Sequence, residues 1–382
     1  MHHIFTILSL GILLGFTSDD KICPENPQGI HYLKDIFADD FLVGTAIDYG
    51  EIRDTTNILH ELIRNEFSAV VCENSMKADH TEPQEGIFNF RGGDAVVCYA
   101  ERNGQTVTGH CLVWHSQCPA WMFGPDSCGN PVDRDILIRR MRNHIYGVCA
   151  HYRGKVKGWD VVNEAIEGDG SWRNSPYYRI LGDEFIPLAF QFAHEADPDA
   201  ELYYNDYGMD SPRKREAVVR LIRTLKARGL RFDAVGMQSH LSLWTDLSEY
   251  EKSIEAFAAE GVKVMATELD VSVLPWPGEM PNADISTNFE YQEKYNPYRD
   301  GLPNDILAQQ ADFYRQLFAI YRRHSADITR VTFWGVHDGT SWLNNFPIHG
   351  RTNYPLFFDR SLQRKPFVDD IIRDALSNSY SK

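Results

Sequence analysis

The sequence lacks the motifs that mark several common enzyme classes. Its seven cysteines contain no C-x-x-C pair and its fourteen histidines no H-E-x-x-H motif, so a zinc site of the usual spacing is not predicted. No G-x-S-x-G elbow occurs, which argues against a serine hydrolase. We predict that the protein uses no metal and no cofactor.

Basic residues are also scarce. Lys and Arg together number 38 against 54 Asp and Glu, which gives a formal net charge of −16. Such a surface repels phosphate backbones and anionic lipid headgroups, so we predict neither nucleic acid nor a membrane as a partner of the processed chain. A neutral polymer would not be repelled. We expect the protein to be a monomer.

Long apolar runs are limited to one N-terminal segment. Ile4 to Phe16 is almost entirely apolar but too short to span a bilayer comfortably, and it suits the core of a signal peptide. We predict a signal peptide over residues 1–18 and secretion to the extracellular space or the periplasm. An uncleaved anchor or a buried first helix is the alternative.

The seven cysteines leave at least one thiol free if the others pair. Cys118 and Cys128 bracket a loop rich in Gly and Pro, and a disulfide between them would staple that loop. A fully reduced and mostly buried set fits the sequence equally well, so both alternatives stay open.

Short apolar runs alternate with helical patterns along the rest of the chain. The strand candidates are Phe41–Ile47, Ala69–Cys72, Thr106–Trp114, Lys157–Val162, Ala200–Tyr204, Ala234–Gln238, Val262–Thr267 and Thr329–Val336. Helical patterns between them include Asp133–His151, Pro187–Ala196, Arg213–Arg228, Leu247–Ala259 and Leu307–His324. Eight such units predict an α/β fold, a single (β/α)8 TIM barrel over residues 19–382. A Rossmann fold is the runner-up, but no G-x-G-x-x-G follows the first strand.

Polar and aromatic residues stand towards, or just beyond, the carboxyl end of the predicted strands. In a barrel these ends form one ring around one pocket, so they are the candidate site. The residues are Glu73, Asn74, Lys77, His110, Trp114, Asn163, Glu164, Gln238, His240, Glu268, Asp270, Trp334 and Trp342. The long irregular stretch 274–304 follows the seventh strand and should lie at that end too.

Glu164 and Glu268 are the best pair for acid/base chemistry. Each directly follows a run of β-type residues, and two opposed carboxyl groups are what glycosidic bond hydrolysis needs. An Asn-Glu or Thr-Glu dipeptide taken alone would rather indicate the start of a helix. Asp270, two residues beyond Glu268, lies on the same side of an extended strand. It could bind His240, which could in turn hold Glu268 ionised.

These segments together resemble glycoside hydrolase family 10. The resemblance runs from about Phe41 to Pro366, and its motifs are long and ordered. They are Glu73 to Lys77, Thr81 to Gly86, Phe88 to Phe90, Gly109 to Trp121, Trp159 to Ala165, Tyr204 to Tyr207, Val235 to Leu241, Thr267 to Asp270 and Phe333 to Val336.

The resemblance implies an endo-β-1,4-xylanase that acts on xylan and xylo-oligosaccharides with retention of configuration. It implies that Glu164 is the general acid/base, that Glu268 is the nucleophile, and that Asn163 contacts the sugar at the reacting subsite. It also implies sugar contacts from Glu73, Asn74, Lys77, His110, Trp114, Gln238, Trp334 and Trp342, and a nucleophile-orienting role for His240 backed by Asp270.

Two departures concern substrate preference rather than the reaction. Ala78 stands where the family often has an aromatic residue, and the 274–304 loop is longer than in many members. A related glycanase that prefers β-1,4-glucan and a non-catalytic xylan-binding protein are the alternatives. Trp342 is a candidate for excluding the hydroxymethyl group that glucose has and xylose lacks.

Overall fold

The computed structural model describes residues 31–53, 58–126, 128–278 and 288–379. The predicted signal peptide, residues 1–18, and Cys23 lie outside these ranges. Within them no helix is long and apolar enough to cross a membrane.

Eight parallel strands close into a barrel. The strands of the chain are β1 Leu42–Ile47, β2 Ala69–Cys72, β3 Thr106–Val113, β4 Gly158–Asn163, β5 Glu201–Asp206, β6 Ala234–Met237, β7 His240–Ser242, β8 Lys263–Ser272 and β9 Ile328–Phe333. Each barrel strand pairs with its sequence neighbour, except that β6 pairs with β8 and β9 closes the ring onto β1. The predicted (β/α)8 barrel is confirmed.

The short strand β7 was not predicted. It pairs only with β8, and the register sets His240 opposite Asp270. Three residues are too few for strand periodicity to be detected in a sequence. This extra pairing lies at the carboxyl end of the barrel, beyond the β6–β8 ladder, and it fixes where the chain leaves β6.

Helices connect successive strands. They are α1 Leu33–Ile36, α2 Tyr49–Ile52, α3 Ile58–Glu66, α4 Ala78–Thr81, α5 Arg91–Asn103, α6 Arg134–Tyr152, α7 Pro176–Leu181, α8 Phe185–Ala196, α9 Pro212–Ala227, α10 Leu247–Ala259, α11 Asn304–Arg323 and α12 Pro366–Ser379. The five predicted helical stretches correspond to α6 and α8 to α11. Side-chain caps set several starts: Asp133, Ser211 and Asp246 each accept backbone N–H donors in the first turn.

The strands are buried along almost their whole length. Every residue of β2, β4 and β6 is buried, as expected for a parallel sheet with helices on one face and a packed interior on the other. Close packing fixes some identities. A Cβ at Gly109 would lie 2.1 Å from the Trp159 ring, so only glycine fits there.

The six cysteines in the described ranges are all free. The alternative of a Cys118–Cys128 disulfide is therefore not the one that the structure adopts. The Cys118 sulfur lies 3.5 Å from the hydroxyl of Tyr177, whereas Cys128 is exposed in a turn that Asp126 organises. The irregular stretch predicted over 274–304 contains a short 3-10 turn at Glu293–Tyr295, and α11 begins at its end.

Candidate active site

A cleft of about 1300 Å³ opens at the carboxyl ends of the strands. Every residue predicted for the site lines it: Glu73, Asn74, Lys77, His110, Trp114, Asn163, Glu164, Gln238, His240, Glu268, Asp270, Trp334 and Trp342. The barrel topology explains the convergence, because all eight parallel strands point their carboxyl ends to this face.

Glu164 directly follows β4 in an unusual backbone conformation. Its φ of +57° lies in the left-handed region, which is costly for a residue with a Cβ and persists only where the surroundings enforce it. Here the backbone is held at both ends of the residue. The Glu164 N–H donates to the Asn205 carbonyl at 2.9 Å, and Arg173 Nε donates to the Glu164 carbonyl at 2.7 Å.

The Glu164 carboxylate, only 7% exposed, accepts hydrogen bonds from neutral donors. Trp114 Nε1 lies 3.0 Å from Oε2, and Gln238 Nε2 lies 2.9 Å from Oε1. Asn163 Nδ2 is a longer contact to the same Oε1, at 3.3 Å. These bonds hold the carboxyl group in place in the cleft, and none of their donors is charged.

Glu268, in β8, has a different set of donors. Asn205 Nδ2 donates to its Oε1 at 2.7 Å, and His240 Nε2 donates to its Oε2 at 3.1 Å. The other imidazole nitrogen, Nδ1, lies 3.0 Å from an Asp270 oxygen, which also accepts from Trp342 Nε1 at 2.8 Å. The β7–β8 pairing builds this chain of hydrogen bonds, because it sets His240 beside Asp270.

The charges in this chain of hydrogen bonds favour a protonated His240 imidazole beside an ionised Glu268 carboxylate. Burial alone would lower the pKa of His240, but Asp270 and Glu268 outweigh it and raise the pKa to about 10. Burial would likewise raise the pKa of Glu268, yet the hydrogen bond from His240, the electrostatic influence of His110 and His240, and the hydrogen bond from Asn205 bring it below its ordinary value. Glu268 is therefore held ionised.

Three side-chain amides connect the carboxyl groups. Asn163 Oδ1 accepts from Asn205 Nδ2 at 3.0 Å and from Gln238 Nε2 at 3.2 Å, so it joins the donors of Glu268 to those of Glu164. Thr267 Oγ1 donates to Asn205 Oδ1 at 2.6 Å, which fixes the direction of that amide. Asn205 belongs to the Tyr204 to Tyr207 motif of the sequence analysis, which gave it no role.

Residues that follow β2 and β3 form a further part of the cleft wall. Lys77 Nζ donates to Asn74 Oδ1 at 3.1 Å and to Gln117 Oε1 at 2.7 Å. Burial, followed by the charges of Asp48 and Glu51, raises the pKa of Glu73 to about 7. This wall presents amide, ammonium and carboxyl groups suited to the hydroxyl edge of a sugar.

His110 is also oriented by a buried acid. Its Nδ1 lies 2.9 Å from Asp160 Oδ2, and its ring packs against the edge of Trp334 at 5.3 Å between centroids. One group of metal-type ligands exists in the described ranges, Glu251, Glu255 and His324, but none of the three lines the cleft.

Among the further residues that line the cleft and that sequence reasoning did not single out are five with large side chains: Arg173, Tyr207, Trp244, Trp276 and Phe346. Arg173 Nη2 donates to the Tyr207 hydroxyl at 2.8 Å while Nε holds the Glu164 carbonyl. All five follow strands β4, β5, β7, β8 or β9 in loops. The one feature of the sequence that pointed to further cleft residues was its high number of aromatic residues, but most of those fill the core.

Comparisons with known proteins identify the family of the chain. Residues 32–374 match the family described as Glycosyl hydrolase family 10. The chain is 51% identical over 343 residues to Endo-1,4-beta-xylanase A of Xylanibacter ruminicola, covering 89% of this chain and 92% of the relative. It is 36% identical to Beta-1,4-xylanase of Dictyoglomus thermophilum, covering 97% of each. A solved structure of a GH10 endoxylanase from sugarcane soil metagenome superimposes with a TM-score of 0.85 at 42% identity, covering 89% of this chain and 99% of the other.

Proposed function

The chain belongs to glycosyl hydrolase family 10 and is a glycoside hydrolase, and from that premise we propose that it is an endo-β-1,4-xylanase that retains anomeric configuration. Its substrates are xylan and xylo-oligosaccharides, whose internal β-1,4 bonds it cuts by double displacement. The relatives' names support the substrate, and the cleft supports the reaction.

One observation carries the assignment of roles. The two buried carboxyl groups, one directly after β4 and one within β8, have unlike partners: Glu268 is paired with a charged imidazole, whereas Glu164 accepts from Trp114 and two amides. Paired carboxyl groups in unlike surroundings are what acid-assisted glycoside cleavage requires. We therefore assign the nucleophile to Glu268 and the proton donor to Glu164.

In the first step a Glu268 oxygen attacks the anomeric carbon, and the bond to the leaving oxygen breaks. That oxygen keeps the electron pair and takes the proton of Glu164, so the departing sugar leaves as an alcohol. The product is a xylosyl ester of Glu268. His240 and Asn205 hold the attacking carboxylate in place before the reaction.

In the second step water attacks the same anomeric carbon from the face that the leaving group vacated. Glu164 accepts a proton from that water, and the ester bond breaks with its electron pair returning to Glu268. Both carboxyl groups recover their starting states, and two inversions give net retention.

The location and assembly state are part of the proposal. We propose that residues 1–18 direct the chain out of the cytoplasm and that the released enzyme acts as a monomer. The acidic surface suits a neutral polymer substrate. Mass measurement of the protein from culture medium, with cleavage expected near Ser18, tests the export, and light scattering tests the monomer.

Labelling of the nucleophile tests the mechanism. A 2-deoxy-2-fluoro aryl xylobioside should leave a stable sugar ester on Glu268, detectable by peptide mass spectrometry. The first sugar released from xylotetraose, followed by NMR, should carry the β configuration. Inverted product, or label on another residue, would overturn the double displacement.

Two variants complete the test. Glu268→Ala should abolish hydrolysis of xylan, whereas Glu101→Ala, which changes an exposed acid on α5, should act like wild type. A wild type inactive on xylan but active on aryl cellobioside would show that the substrate is glucan. A pure wild type that binds xylan without any turnover would leave only the binding function.

A further inference from the structure

A row of aromatic rings extends the cleft wall outward from the carboxylate pair. Trp342 lies 4.8 Å from the His240 ring, Phe346 stacks on Trp342 at 4.8 Å and 18°, and Trp276 lies 6.0 Å from Phe346. All four residues line the same cleft. Trp276 is therefore two rings removed from His240, the side chain that binds Glu268.

The backbone on both sides of Trp276 is fixed. Pro275 and Pro277 flank it, so the rotation about N–Cα of both neighbours is locked. The Pro275 carbonyl accepts from Arg351 Nη1 at 3.3 Å, and the Pro277 carbonyl accepts from the Tyr295 hydroxyl at 3.3 Å. A backbone held this way loses little conformational entropy when the Trp276 ring binds a ligand.

Arg351 joins this segment to the loop after β9. Besides Pro275, its guanidinium donates to the Phe346 carbonyl at 2.6 Å and to the Leu343 carbonyl at 3.4 Å. Burial lowers its pKa to about 10, and these carbonyls compensate part of the lost hydration. The two loops therefore present Trp276 and Phe346 as one surface.

Trp276 is 45% exposed, although the residues just before it, from Val271 to Leu274, are buried. A large flat ring left in water at the edge of a binding cleft matches the apolar face of a sugar ring. We propose that Trp276, supported by Phe346, forms a further sugar-binding position that takes a neutral sugar unit of xylan beyond those held at Glu164 and Glu268. This inference rests on the proposed function.

The chemistry of the two loops favours a neutral sugar over a uronic acid. In residues 274–278 and 341–353 the basic side chains are Arg351, which is buried against carbonyls, and His349. An acidic substituent would therefore find no free guanidinium or ammonium in these two segments, and it would enter a protein of net charge −16.

Substrate length provides the test. An aryl xylobioside fills only the positions beside the carboxylates, whereas xylohexaose can reach the further one. Covering about 50 Å² of ring surface corresponds to roughly a tenfold gain in binding. We expect Trp276→Ala to lose about five- to tenfold more kcat/KM on xylohexaose than on the aryl xylobioside, and Trp276→Phe to recover most of that difference.

Tyr291→Ala is the matched control, because Tyr291 is 41% exposed on the same chain segment but does not line the cleft. It should show the wild-type ratio. Equal losses on both substrates for Trp276→Ala, or no loss on either, would overturn the proposal. If wild type cleaves neither substrate, the proposed function itself fails, and the ratio is then undefined rather than unchanged.

Discussion

Replacing Asp270 by Asn isolates the electrostatic contribution that the hydrogen-bond chain from Asp270 through His240 to Glu268 makes to catalysis. The substitution keeps the shape of the side chain and an oxygen that can accept from Trp342 and His240. It removes the negative charge that, together with Glu268, raises the pKa of His240 to about 10. His240 should then lose its proton more readily near neutral pH, and Glu268 should lose a charged donor.

The magnitude follows from the donors of Glu268. A hydrogen bond to a charged group is worth about 1.5–3 kcal/mol, and without the imidazolium charge the bond from His240 to the ionised Glu268 should fall to the lower part of that range or below it. The change should therefore raise the barrier by about 1–2 kcal/mol, which lowers kcat/KM roughly five- to thirtyfold. Asn205 still donates to Glu268, so activity should not vanish.

The pH profile distinguishes this effect from simple misfolding. In wild type the pKa of Glu268 is below its ordinary value, so its carboxylate stays ionised into mildly acidic solution. Without the charged imidazole this pKa should move up, and the acid limb of kcat/KM on an aryl xylobioside should shift to higher pH.

Asp312→Asn, an exposed Asp on α11, serves as the control and should leave the profile unchanged. An Asp270→Asn enzyme that folds normally and keeps the wild-type rate and acid limb would refute the reasoning.

Three further outcomes are expected. Arg173→Met should slow cleavage of unactivated xylan at least about tenfold more than cleavage of a dinitrophenyl xylobioside, because it loosens the backbone of Glu164 and only the poor leaving group needs the proton; equal losses would contradict this. The free energy of unfolding of wild type should fall as the pH rises through about 10. The pKa of His240 is raised in the folded protein, so its protonation contributes stability that is fully present below about pH 6.5 and is lost as the pH rises through the folded-state pKa. His240→Gln should show a smaller fall in denaturant titrations. Reductant should leave the unfolding midpoint unchanged, since Cys118 and Cys128 are free; a large drop would indicate a disulfide.

The barrel could be predicted because its strands carry a strong local signal. Strands buried on both faces appear as apolar runs, and the polar residues that end them mark the open side of the barrel. Glu164 and Glu268 could be located in this way, and the structure places both in one cleft. The strand β7 could not be found, because three residues such as His240 to Ser242 carry no detectable period.

The arrangement within the site depends on contacts between distant parts of the chain. Nothing in the local sequence indicates that Glu164 has a positive φ, since that conformation is imposed by Arg173 and by the Asn205 carbonyl. The link from Asn205 to Glu268 spans 63 residues and needs the closed barrel. Trp276 has no periodic neighbours, and its position depends on a guanidinium 75 residues further along the chain.

Arg351 also constrains how this cleft can diverge. One buried guanidinium ties the segment around Pro275 to the segment around Phe346. Exchanging the loop around Pro275 alone would remove one acceptor of that cation, and exchanging the loop that carries Arg351 alone would leave the Pro275 carbonyl without this donor. We therefore expect the two loops to change together in evolution, although 65 residues separate Leu343 from Gly278. We expect that recombination or grafting that moves both loops together keeps these hydrogen bonds. Moving one loop alone breaks the bond between Arg351 and Pro275 and favours later loss of the arginine.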